Sequence, residues 1–146
     1  MQKSRGSTQT FLLDTNMFIA AIKNPERQTS TFQLLLKIVK DPNIKLVGNV
    51  LLAHEMSRYA EQFKSKRAAV LISALLTKME LVMVPKSYVK LCKPYILTPD
   101  KADVLHAATC LQTGATLITN DRHFDRIKKE GIIEVLSVSK AIKKLL

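Results

Sequence analysis

The sequence predicts an α/β chain: a three-layer α/β/α sandwich around a mainly parallel five-stranded sheet. Three observations carry this. Short apolar runs alternate with helical stretches along all 146 residues. The run Phe11-Leu12-Leu13 passes directly into Asp14-Thr15-Asn16, as a strand buried on both faces does where it leaves the core. Hydrophobic content of 47% and charged content of 24% suit one globular domain with a real core.

Residues 1–9 read as a polar tail and 10–146 as a single domain. After the first strand, Met17 to Ile22 begins a short helix that Asn24-Pro25 breaks. Ser30 or Thr31 can cap a helix from Phe32 to Lys40, with Phe32, Leu35, Leu36 and Val39 at helical spacing. Lys45 to Gly48 is a second strand, and Asn49 caps a long helix carrying Leu51, Leu52, Glu55, Met56 and Tyr59 on a broad face. A basic bend over 61–67 separates it from a helix over Ala68 to Leu76. There Val70, Leu71 and Leu75 suit either a core or a dimer surface. Glu80 to Pro85 is a third strand, followed by a short helix and loop. Thr98-Pro99 starts a helix, with threonine as N-cap and proline in the first turn, and Gly114 ends it. Ala115 to Thr119 is a fourth strand, Arg122 to Lys129 a helix, Ile132 to Leu136 a fifth strand and Val138 to Leu146 a last helix.

Several function classes drop out. No apolar run approaches the roughly 18 residues of a membrane helix, and the polar start has no apolar core of a secretory signal. A cytoplasmic location is the expectation. Cys92 and Cys110 are too few and too far apart for a zinc or redox motif and read as buried thiols. There is no GxxxxGK[ST] and no GxGxxG, so nothing supports a nucleotide phosphate loop. The net charge of +11 favours a polyanionic partner through counterion release, although soluble proteins also carry lysine-rich surfaces.

Only twelve residues are acidic, so their placement is informative. Asp14 and Asp121 end strands expected to be parallel and so face the same rim, where open parallel sheets bind ligands. Asp14 and Asn16 could instead be only turn formers or helix caps. Glu55 and Asp103 lie early in helices that can start at that rim. Val104, Ala107, Ala108 and Leu111 form the packed face beside Asp103. Asp100 suits the first turn of that helix, complementing its dipole. Four converging carboxylates repel one another unless hard divalent cations neutralise them, which points to Mg²⁺ or Mn²⁺. His106, one turn after Asp103, could donate to it, and His123 is close to Asp121, but both are left outside the metal site.

Phe-Leu-Leu-Asp-Thr-Asn at 11–16, the Glu55 helix, Ala-Asp-Val-Leu-His-Ala-Ala-Thr at 102–109 and Leu-Ile-Thr-Asn-Asp-Arg-His-Phe at 117–124 together resemble the PIN domain family. That is the metal-dependent nuclease fold of VapC-type toxin ribonucleases and of RNA-processing enzymes. The resemblance runs from about Thr10 to Leu136, in the family's order. It implies a catalytic and metal-binding set of Asp14, Glu55, Asp103 and Asp121. It also implies polar supporting or substrate-contacting roles for Asn16, Thr119 and Asn120, with Asp125 as an outer acid. Strands one and four would be neighbours at the sheet centre. The implied activity is Mg²⁺- or Mn²⁺-dependent endonucleolytic hydrolysis of RNA by a homodimer, with, for the toxin branch of the family, a small antitoxin partner. Lys64, Lys66 and Arg67, with Arg122, Arg126, Lys128 and Lys129, are candidates to hold flanking phosphates. The alternative is a non-catalytic RNA-binding or RNA-processing assembly module of the same fold. A phosphatase of the haloacid dehalogenase type would need a second aspartate where Asn16 stands, losing its general acid.

Overall fold

The computed structural model describes residues 8–23, 29–97 and 100–146. Five parallel strands form one sheet: β1 (Gln9–Leu13), β2 (Ile44–Gly48), β3 (Met79–Leu81), β4 (Thr116–Ile118) and β5 (Val135–Leu136). Their order is β3-β2-β1-β4-β5. The expected parallel sheet is therefore wholly parallel. Phe11 sits in register with Leu46 on one side and Thr116 on the other, which puts β1 at the centre. Both faces of a parallel sheet are covered, so successive residues of β1 need apolar side chains regardless of direction. Phe11, Leu12, Leu13, Leu117 and Ile118 are accordingly buried. The order of connection reverses between β1 and β4, which opens a crevice at their carboxyl ends.

The helices are α1 (Thr15–Ile22), α2 (Ser30–Lys40), α3 (Val50–Phe63), α4 (Lys66–Lys78), α5 (Lys86–Cys92), α6 (Lys101–Thr113), α7 (Asp125–Lys129) and α8 (Val138–Leu145). Short 3₁₀ turns cover Lys93–Tyr95 and Arg122–Phe124. α6 packs on β1, β2 and β4 with α3 and α5 beside it, while α2 and α4 pack on β2 and α8 on β5. Lys78 ties α4 to α2. Its Nζ donates to Ile38 O, a carbonyl left open in the last turn of α2, and to Asp41 O just beyond it.

Several boundaries differ from the sequence expectation for local reasons. Gln9 already belongs to β1, its N–H bonded to Asn43 O at 2.9 Å. α2 is capped one residue earlier than expected, by Thr29 Oγ1 accepting from Phe32 N at 3.2 Å. Asn49 caps α3 as expected, at 2.8 Å to Leu52 N. The basic bend shrinks to Lys64, in the left-handed region at φ 48°, and Ser65, which caps α4. Leu71 and Leu75 belong to the core, and only Val70 is exposed. β3 is an edge strand that stops at Leu81, and Pro85 opens α5 instead of closing the strand. Asn24-Pro25 and Thr98-Pro99 lie outside the described residues. α6 takes its cap from Asp100, whose Oδ1 accepts from Ala102 N at 2.8 Å. A Cβ on Gly48 would lie 2.4 Å from Met79 Sδ and 3.2 Å from Leu52 Cδ2, so glycine allows β2, β3 and α3 to close up here. Cys92 and Cys110 are free, buried thiols, and burial pushes Cys92 up to about 11.

Candidate active site

The crevice at the carboxyl end of β1 and β4 is an acidic cavity of about 250 Å³. Asp14 leaves β1 there, at the N-cap position of α1, with only 4% of its surface exposed. Its side chain does not cap the helix. Its Oδ2 accepts instead from Thr119 Oγ1, at 2.7 Å, across the adjacent strand end. The Thr119 hydroxyl in turn accepts from Asp121 N at 2.9 Å, which fixes the chain as it leaves β4. Asp121 Oδ1 accepts from His123 N at 2.9 Å and so caps the following 3₁₀ turn. From α6, Asp103 accepts through Oδ2 from His123 Nδ1 at 2.9 Å. From α3, Glu55 accepts through Oε1 from Thr15 Oγ1 at 3.3 Å. Four carboxylates from four segments thus line one cavity, with Asp100 as a fifth acid on its wall.

A polar chain under the floor orients Glu55. Asn49 Oδ1 is occupied by Leu52 N, so its Nδ2 is the end that faces Thr109 Oγ1 (3.0 Å) and His106 Nδ1 (3.2 Å). His106 Nδ1 must then be an acceptor, and its proton sits on Nε2. That N–H nitrogen lies 3.6 Å from Glu55 Oε1, within electrostatic reach but longer than a good hydrogen bond.

The electrostatics separate the four acids. Burial holds the Asp14 carboxyl above its ordinary range, against the Thr119 hydrogen bond, and the charge of Asp121 adds to the rise. Burial likewise raises Asp103, opposed by His123 and reinforced by the neighbouring acids. Glu55 is held low, first by His106. His123 is raised by its bond to Asp103. Buried, mutually repelling carboxylates are the donor set that a hard divalent cation would relieve. One oxygen each of Asp103 and Asp121 and one His123 nitrogen all lie within 4.8 Å of one another, close enough to share an ion.

The PIN domain family model matches residues 11–130, most of the chain and every residue that lines the cavity. The chain belongs to the PIN domain family. Solved structures with the same PIN fold include VapBC2 from Rickettsia felis bound to a DNA fragment from their promoter. That chain is 21% identical, with a TM-score of 0.64 over 88% of this chain and 98% of that one. VapBC-1 from nontypeable Haemophilus influenzae is 20% identical, with a TM-score of 0.59 over 90% and 99%. PAE2754 from Pyrobaculum aerophilum is 16% identical, with a TM-score of 0.57 over 94% and 97%. At these identities the likeness establishes the fold. No curated protein matches the sequence significantly.

In this PIN domain the structure brings Asp14, Glu55, Asp103 and Asp121 together, with Asn16 at the rim. Thr119 supports Asp14 from behind. Asn120 turns away, its Oδ1 accepting from Val138 N at 2.9 Å at the start of α8. Asp125 does not line the cavity. Neither do Lys64, Lys66 and Arg67; the last two line an apolar groove between α2 and α4. Arg126 lies over the Tyr95 ring, 5.7 Å from its centroid, and donates to Pro94 O. Arg122 lines a second cavity beside the acids. The histidines are placed differently from the sequence expectation. His106 meets Glu55, not Asp103, and His123 bridges Asp103 and Asp121. His123 was legible only as a neighbour of Asp121. The Thr15 and Asn49 contacts had no signal beyond their positions in a turn and at a cap.

Proposed function

We propose that this PIN domain is a divalent-metal-dependent ribonuclease that cleaves RNA phosphodiester bonds internally, acting in the cytoplasm. The observation that carries the proposal is the gathering of Asp14, Glu55, Asp100, Asp103 and Asp121 at one cavity of a chain whose net charge is +11. Acids concentrated at one rim of a basic protein suit a cation-dependent site that a polyanion approaches. Asp14, Glu55, Asp103 and Asp121 would hold one or two Mg²⁺ or Mn²⁺ ions, with His123 within reach of the same place. A bound ion supplies Lewis-acid activation of water and charge neutralisation at the phosphate.

The chain's own residues divide the remaining work. Thr119 holds Asp14 in one orientation, and Thr15 and His106 hold Glu55. A carboxylate beside the metal ligands, not one of them, would accept the proton of the attacking water. Arg122, next to Asp121, would meet the RNA at the adjoining cavity.

The same proposal includes a homodimer and, as for a toxin, a small antitoxin protein as partner. The VapBC neighbours support the antitoxin partner. Among the described residues, no helix is long and apolar enough to cross a membrane.

The test is incubation with single-stranded RNA and Mn²⁺, with and without EDTA, beside Asp14→Asn. Cleavage by the wild type that EDTA and the substitution both abolish is expected. Wild-type cleavage no greater than the variant's would sink the nuclease reading. Retained RNA binding in those samples would favour the non-catalytic assembly module.

A further inference from the structure

Beside the acidic cavity lies a second one of about 510 Å³. It shares Asn16, Asp121 and His123 with the first, so whatever fills it touches the same reaction centre. We propose that this cavity is a nucleobase pocket, which receives one base next to the scissile phosphodiester. The inference rests on the ribonuclease reading and names the subsite that reading lacks.

The chemistry of the lining separates a base from other occupants. Met17 and Ala20 from α1 and Val138 from α8 supply an apolar wall. A second phosphate would call for several cations, and Arg122 is the one lysine or arginine in the lining. A base is flat and uncharged, with donors and acceptors on its edges, and splayed single-stranded bases are read in this way. Asn16 offers an amide with both. Among the described residues neither the Asn16 side chain nor the Arg122 guanidinium has a hydrogen-bond or ion-pair partner. Arg122 and His123 both present planar groups on which a base can stack.

The fold explains the position. Asn16 lies in the first turn of α1, just after β1, and Arg122 and His123 lie in the 3₁₀ turn after β4. The two turns flank the crevice, and Asn16 from the first and His123 from the second line both cavities. The Asn120 side chain, bonded to Val138 N, fixes the start of α8 as the far wall.

The test has two arms. In the first, amide NMR shifts are followed with AMP, GMP, CMP, UMP and ribose 5-phosphate in Ca²⁺. At least one nucleotide should shift Met17, Ala20 and Val138 and bind about tenfold tighter than ribose 5-phosphate, as a stacked base requires. Ala20→Phe, which fills the cavity from α1, should remove that advantage. In the second arm, an RNA cleaved at one bond is compared with versions carrying an abasic site on either side of it. The wild type should slow about tenfold for one of them, and Ala20→Phe should cleave intact and abasic RNA equally. Nucleotide shifts without any RNA cleavage would leave the pocket standing and the ribonuclease reading refuted. Cleavage indifferent to both abasic sites, with no base-dependent shift in the first arm, would refute the pocket alone.

Discussion

Thr119→Val should cost this protein stability and metal affinity together. Valine keeps the shape of threonine and deletes one buried hydroxyl. That hydroxyl donates to Asp14 Oδ2 at 2.7 Å and accepts from Asp121 N at 2.9 Å. A hydrogen bond to a charged group contributes about 1.5–3 kcal/mol and a neutral one about 0.5–1.5. The expected loss is therefore roughly 2–4 kcal/mol, or roughly 5–15 °C in Tm for a domain of this size. The pH dependence follows from Asp14. Its folded-state pKa lies above the ordinary value, so its ionised form is penalised most at high pH. Removing the Thr119 bond raises that pKa further. The deficit of Thr119→Val should be full near neutral pH and shrink as pH falls through the folded-state pKa of Asp14 and the carboxyl takes up a proton. Thermal unfolding in EDTA at several pH values, with a double-mutant cycle against Asp14→Asn, measures this. A coupling below about 0.5 kcal/mol, or a deficit that grows toward acid pH, would refute the reasoning. Thr119→Ser should restore most of the stability.

Other outcomes follow from the same contacts. Asp14→Asn should raise Tm in EDTA by about 2–4 °C, the shift of roughly 1 kcal/mol, while losing the further rise that Mn²⁺ gives the wild type; differential scanning fluorimetry reads both. His123 should titrate above 6.5 by NMR and move back toward it in Asp103→Asn; their contact favours the fold below that value and is lost as pH rises through the raised one. Asn49→Ala removes the α3 cap and the donors to Thr109 and His106, so a loss of about 2–4 kcal/mol in urea unfolding is expected. Leu12→Ala, at the fully buried centre of β1, should cost about 2–5 kcal/mol in the same assay.

The buried strand and the acids were the legible parts of this molecule. Phe11 to Leu13 reads as a two-sided strand because every residue of a central parallel strand needs an apolar environment. Asp14 and Asp121 follow as strand ends. That they meet depends on β1 pairing with β4, which no local spacing encodes and only the family resemblance supplied. Asn49 and Gly114 were readable because caps and left-handed ends are local chemistry. β3 came out shorter than its apolar run because its one neighbour, β2, ends at Gly48 opposite Leu81, while β5 lost residues 132–134 from its start. The histidines were the least legible. His106 reaches Glu55 across two helices and His123 reaches Asp103 across two segments, and such contacts are set by packing. The placement of the basic residues was hidden for a similar reason: Lys66 and Arg67 line the groove between α2 and α4, away from the acidic cavity.

The most direct test of the central claim is metal rescue at the scissile phosphate. A phosphorothioate replaces the phosphate oxygen that a cation in the Asp14–Glu55–Asp103–Asp121 cavity would contact. Sulfur is a poor ligand for Mg²⁺ and a better one for softer Mn²⁺. Single-turnover cleavage of the substituted RNA should be about tenfold or more slower than that of the unmodified RNA in Mg²⁺, and Mn²⁺ should restore it. Equal slowing in both metals, or cleavage that persists in EDTA, would contradict the account.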